Sequence, residues 1–173
     1  MPIYLTEKGL KQILLDLFPQ DELICDRKVS GSINARMRPD FRFPERKLII
    51  EFDGYHHYSV AKRVLTDRDK DNDYKSLGYS IFRIPYFIQM SSNLLEMIFK
   101  KEINFRQVYK NGFIDEKAML PADYCELGIK LFEEDLKRFE YCKKDIVDSL
   151  KIKIKEKGSK EFVLPESLFY LVD

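Results

Sequence analysis

Asp40, Glu51 and Asp53 are the residues whose types and spacing most directly suggest chemistry. They fall between Arg38 and Gly54, a stretch that reads as two short strands joined by a turn, and Glu51 and Asp53 stand where a buried strand should be apolar. Carboxylates on a half-buried sheet face are costly unless positive charge compensates them, and a divalent cation held by oxygen ligands is the usual compensation. Leu48 to Asp53, rich in β-branched and aromatic residues and bounded by Pro44 and Gly54, predicts a strand. Strand alternation then sets Ile49, Glu51 and Asp53 on one face, with Ile50 and Phe52 on the other. Met37 to Phe43 is the expected antiparallel partner, joined through Pro44-Glu45-Arg46, so Asp40 falls beside Glu51 or Asp53 according to register. Such close carboxylates repel one another and raise at least one pKa unless Mg²⁺ or Mn²⁺ neutralises them.

The order of these residues resembles a known family. Pro39-Asp40, ten intervening residues and then Glu51-x-Asp53 is similar to the PD-(D/E)XK nuclease motif with its final lysine replaced by aspartate. The continuation resembles the very-short-patch-repair-endonuclease-like branch of that superfamily. It comprises Glu51-Phe52-Asp53-Gly54-Tyr55-His56-His57, a charged helix with Lys70-Asp71, and Leu77-Gly78-Tyr79-Ser80-Ile81-Phe82-Arg83-Ile84. The resemblance implies a restriction-endonuclease-like αβββαβ core with a mixed sheet flanked by helices, and Mg²⁺- or Mn²⁺-dependent hydrolysis of DNA phosphodiester bonds of restriction or homing type. It implies Asp40, Glu51, the Phe52 carbonyl and Asp53 as metal ligands, with Asp53 alternatively orienting a base. His57 takes the place of the relatives' histidine and is the expected proton shuttle, with His56 as the fallback or a contact to the nucleic acid. Lys70 or Lys62 is expected to stand in for the absent motif lysine, and Asp71 matches an aspartate of the relatives' helix. Glu7 matches an acidic position of some relatives, but an exposed helix glutamate is the stronger expectation. Two other readings stay open: a catalytically inactive nuclease-fold module for DNA binding or assembly, and an RNA-directed nuclease.

Charge is unevenly spread. The net charge of +1 excludes a uniformly basic nucleic-acid binder, yet Arg27, Lys28, Arg36, Arg38, Arg42, Arg46 and Lys47 cluster before the second strand. On alternating strand positions Arg36, Arg38, Asp40 and Arg42 share a face, which surrounds the candidate ion with phosphate-binding guanidinium groups. Cys25, Cys125 and Cys142 lack metal-ligand spacing and are expected to be reduced thiols. There is no long apolar run and no signal-peptide pattern, which predicts a cytoplasmic protein without membrane contact. No small-molecule cofactor is expected, and cutting both strands with one site per chain is most simply done by a two-fold homodimer.

The elements that must position these side chains follow from periodicity. Thr6 caps a helix carrying Leu10, Ile13, Leu14 and Leu17 until Phe18-Pro19. Leu23 to Val29 reads as a strand, Val60 to Leu77 as a charged helix ended by Gly78, and Tyr79 to Ile84 as a strand parallel to one of the hairpin strands. Residues 1–89 are expected to form the nuclease core, and residues 90–173 a mostly helical extension packed on it as a lid, dimerisation or DNA-reading element. In that extension Asn93 to Lys101 predicts a helix and Pro121 to Cys142 one long amphipathic helix, followed by helical pattern to Gly158. Glu161 to Val172 is apolar enough for a strand or a short helix.

Overall fold

Thr6 begins the first helix as its composition predicts: the side chain accepts the Gly9 N–H at 3.0 Å and starts α1 (Glu7–Leu17). A computed structural model describes residues 4–33, 37–115 and 118–173; Arg36 lies outside the described residues. After α1 the chain forms a four-stranded mixed sheet, ordered β1 (Ile24–Cys25), β2 (Phe41–Phe43), β3 (Leu48–Asp53) and β4 (Ser80–Pro85). The first two strands are shorter than their sequence suggests. Asp26 adopts a left-handed backbone with φ 46°, which turns the chain out of the ladder after Cys25. Pro39 has no N–H to donate, so regular pairing of β2 begins only at Phe41.

The β2–β3 hairpin closes through Lys47 N–H donating to the Pro44 carbonyl at 3.1 Å, with Lys47 in the left-handed region. Its register pairs Phe41 with Ile50, Arg42 with Ile49 and Phe43 with Leu48; one step further sets Asp40 opposite Glu51. After β3 come the single turn α2 (His56–Ser59) and the crossover helix α3 (Ala61–Ser76), which brings β4 back parallel to β3 with Glu51 opposite Arg83. The pleat therefore divides the sheet. Phe41, Phe43, Leu48, Ile50 and Ile84 enter the main core, whereas Asp40, Arg42, Ile49, Glu51, Asp53, Ile81 and Arg83 share the other face. That second face has only a small apolar cluster, Val29, Ile49, Tyr74 and Tyr79, with Leu77 and Ile81 against it. Its remaining area is occupied by ionisable side chains under α3.

The C-terminal elements are α4 (Ser92–Phe99), α5 (Glu126–Arg138) and α6 (Lys143–Lys157). The main core is continuous across both halves of the chain, joining Leu10, Leu14 and Ile50 to Leu94, Phe132, Leu136, Ile146 and Leu168. The single long helix expected over Pro121 to Cys142 is instead a short 3₁₀ turn, α5 and a second 3₁₀ turn. The break has a tertiary cause: Tyr124 and Cys125 are extended, and the Cys125 N–H donates to the carbonyl of Tyr58 at 3.1 Å. Gly158, with φ 81°, ends α6, and residues beyond it form 3₁₀ turns rather than a strand. All three cysteines are free thiols. Among the described residues no helix is long and apolar enough to cross a membrane.

Candidate active site

Asp40 and Glu51 stand side by side because the hairpin register puts them on one face of adjacent strands. Asp40 is held by its own hairpin: its Oδ2 accepts the backbone N–H of Phe52 at 2.8 Å. Glu51 is only 3% exposed. Lys70 Nζ, from α3, lies 2.9 Å from Glu51 Oε1 and donates to Oε2 at 3.0 Å, yet Oε1 itself is buried without an aligned hydrogen bond. Burial raises the Glu51 carboxyl to about 7; Asp40 adds repulsion, while Lys70 and Arg83 offset part of the rise.

That shift has a stability consequence in metal-free protein. A carboxyl whose folded pKa lies above its ordinary 4.5 binds protons more tightly when folded, so ionising it weakens the fold. The penalty is absent below about pH 4.5 and complete above about pH 7. Glu51→Gln in EDTA is therefore expected to stabilise the protein by about 1–3 kcal/mol at alkaline pH, with the gain fading toward pH ~4.5. Urea unfolding across that range checks the sign.

Of Lys62 and Lys70, the two expected stand-ins for the absent motif lysine, Lys70 is the one that meets Glu51. It reaches Glu51 from the crossover helix, and Arg63, one Lys70-facing pair of turns earlier, lines the same cavity. Lys62 and Arg68 are exposed. Asp71, by contrast, turns inward and receives two N–H groups of Arg83, Nε at 3.1 Å and Nη2 at 2.8 Å.

Behind Glu51, Asp53 is equally buried, at 3% exposure, and its carboxyl is raised by that burial against the pull of Arg83 and His57. Its Oδ1 takes Arg83 Nη1 at 2.7 Å and lies 3.3 Å from His57 Nδ1. His57 Nδ1 also meets Asp67 Oδ2 at 2.5 Å. Burial pushes the Asp67 carboxyl up, but the His57 hydrogen bond and Arg83 outweigh it and leave the group below its ordinary value. Burial opposes the charge on Arg83, and Asp53, Asp71 and Asp67 together overcome that cost. Asp53 does not line the cavity; its contacts are Arg83 and His57.

The cavity measures about 490 Å³. Asp40, Glu51, His57 and Lys70 form its polar wall, with Phe52 between the strands. Glu7 is exposed, as expected of a helix glutamate, and also lines the cavity; its carboxyl is raised by partial burial, then by Asp40 and Asp26. Tyr86 and Phe113 supply aromatic surface, and residues Gly112 to Asp115 close one side. Arg38 lines the cavity and lies 3.8 Å from Asp26. Arg42 shares the face but not the cavity wall, and its Nε is buried without a hydrogen bond. His56 is exposed beside Tyr55 and also lies outside the wall.

Sequence reasoning missed Arg83 and Asp67. Arg63, Asp67, Lys70 and Tyr74 recur at helical spacing along the face of α3 that meets the sheet, and that recurrence was the available signal. Arg83 carries a parity signal: on β4 it alternates with Phe82 and Ile84, which puts it on the face of Ile81.

The oxygen donors Asp40 and Glu51 suit a hard cation, and Glu51 Oε1, with the Lys70 ammonium at 2.9 Å but no aligned hydrogen bond, is the kind of atom such a cation satisfies. Among the described residues no group of three or more His, Cys, Asp or Glu is arranged to hold a metal ion. Two carboxylates are nonetheless a sufficient protein contribution for Mg²⁺, which keeps several waters and takes further oxygens from a phosphate substrate. No family model matches the chain, and no curated protein or solved structure matches it.

Proposed function

We propose that this chain is a metal-dependent DNA endonuclease that hydrolyses phosphodiester bonds, of restriction or homing type. The observation that carries the reading is the pair Asp40 and Glu51, adjacent on one sheet face in the wall of a cavity, with Lys70 on Glu51. Asp40 and Glu51, with the Phe52 carbonyl, would hold Mg²⁺ or Mn²⁺. Bound there, the ion supplies a lowered pKa to bound water and balances charge on the phosphoryl group.

The other side chains divide the remaining work. With Nδ1 committed to Asp67 and Asp53, His57 has Nε2 left to take or deliver a proton. Lys70 balances the negative charge of Glu51 before substrate enters and provides an ammonium within the cavity. Arg38 and Arg63 are cations on the cavity wall that attract a phosphodiester. A pure binding module gains nothing from buried carboxylates next to phosphate, which disfavours that alternative. Double-strand cleavage would most simply use a second site supplied by a two-fold partner.

The test is digestion of mixed duplex DNA and, in parallel, RNA with Mg²⁺, followed by mapping of the ends. Mg²⁺-dependent internal cuts in DNA are expected. Cuts confined to RNA would reassign the substrate, and intact nucleic acid in both reactions would overturn the proposal.

A further inference from the structure

We propose that Arg83 and Asp67 are positioning residues that fix His57 in the Nδ1–H tautomer, leaving Nε2 as the atom that exchanges a proton in the cavity. This inference rests on the nuclease reading for its functional meaning, though its geometry stands apart from it. His57 Nδ1 faces two carboxylate oxygens, Asp67 Oδ2 at 2.5 Å and Asp53 Oδ1 at 3.3 Å. An ionised carboxylate is an acceptor only, so the ring nitrogen between the two must carry hydrogen. Neutral imidazole then has its lone pair on Nε2.

Two carboxylates converge on one ring nitrogen only if something holds them together against their repulsion. Arg83 does so with its planar fork. The Nε and Nη2 edge is seated on Asp71 at 3.1 and 2.8 Å, which fixes the plane; Nη1 then reaches Asp53 at 2.7 Å, and Nη2 lies 3.6 Å from Asp67. A lysine has the charge but not the fork, and cannot face three carboxylates from a defined plane. The strand beneath is held as well, because Arg138 Nη2 donates to the Arg83 carbonyl at 2.5 Å while its guanidinium lies over Phe82 at 4.4 Å. Arg83 touches neither substrate nor ion in this scheme; it acts through Asp67 and Asp53 on His57.

The chain has two histidines, so His56→Gln leaves His57 as the sole imidazole. In ¹⁵N-labelled His56→Gln protein, long-range ¹H–¹⁵N correlation at a pH where the ring is neutral should show Nδ1–H. Arg83→Gln and Asp67→Asn, each in that background, should shift the ring to Nε2–H or to a mixture. Cleavage should fall on the order of 10²-fold in kcat, with KM for nucleic acid changed less than about 3-fold. Arg83→Lys should recover the fold but not the pure Nδ1–H tautomer. If Arg83→Gln fails to fold, Asp67→Asn decides the matter. Retention of pure Nδ1–H in the folded variants overturns the proposal. Absence of any cleavage by the parent protein would instead remove the nuclease reading, and the tautomer measurement would still decide the role of Arg83 and Asp67.

Discussion

Asp40→Ala and Glu51→Ala are each expected to lower Mg²⁺-dependent cleavage by at least about 10²–10³-fold while leaving nucleic-acid binding within a few-fold of the parent. The asymmetry follows from charge. Both residues are acidic, so removing either one loses the ion's contact to phosphate but also relieves direct repulsion, and the net change in binding is small. Only chemistry that needs the carboxylates suffers. The two variants should nevertheless differ in stability. Asp40→Ala deletes the acceptor for the Phe52 N–H and loosens the hairpin, whereas Glu51→Ala removes a buried carboxyl that burial already disfavours in its ionised form. Rates measured with excess Mg²⁺, beside binding measured by fluorescence anisotropy in Ca²⁺, separate chemistry from affinity.

Gly128→Ala is expected to destabilise the fold by roughly 3–5 kcal/mol, a loss of about 10 °C or more in Tm for a chain of this size. A Cβ at that position would lie 1.7 Å from the carbonyl oxygen of Tyr58 and 2.8 Å from its Cα. These are backbone atoms that cannot rotate away. α5 approaches α2 this closely because Cys125 donates both its N–H and its Sγ to that same carbonyl, at 3.1 and 3.2 Å. Tyr58 closes the contact from the other side by donating its hydroxyl to the buried Asp135 at 2.7 Å. Tyr58 directly follows His57, so the clash should also displace the imidazole, and cleavage should drop together with Tm. Gly54→Ala is the contrast: no atom lies within 4 Å of its added Cβ, and Tm should change little. Thermal unfolding of the two variants side by side checks the difference.

The hairpin was legible because period-2 alternation and the Pro44 and Gly54 boundaries act locally. Its register was not, since pairing Asp40 with Glu51 depends on where Pro39 and Asp26 interrupt the ladder. The same locality explains α1, whose Thr6 cap and apolar spacing are read within one helix. The sequence predicts a longer helix than α5 because its amphipathic pattern runs on unbroken. What delays its start to Glu126 is the Tyr58 carbonyl, a partner about seventy residues away that leaves no local trace. At the site, Asp40, Glu51, His57 and Lys70 line one cavity, while Arg42 and His56 lie outside its wall. Asp53 is turned to Arg83 because a buried carboxylate goes to the nearest cation, and which cation that is depends on the parallel pairing of β3 with β4.

Calorimetric titration of Mg²⁺ into the parent protein and into Asp40→Asn and Glu51→Gln tests the central claim most directly, that two strand carboxylates form one ion site. Saturable binding in the parent, strengthening as pH rises through about 7 where Glu51 ionises and lost in both variants, is the expected result. Binding that is absent from the parent at millimolar Mg²⁺, or unchanged in both variants, would contradict it.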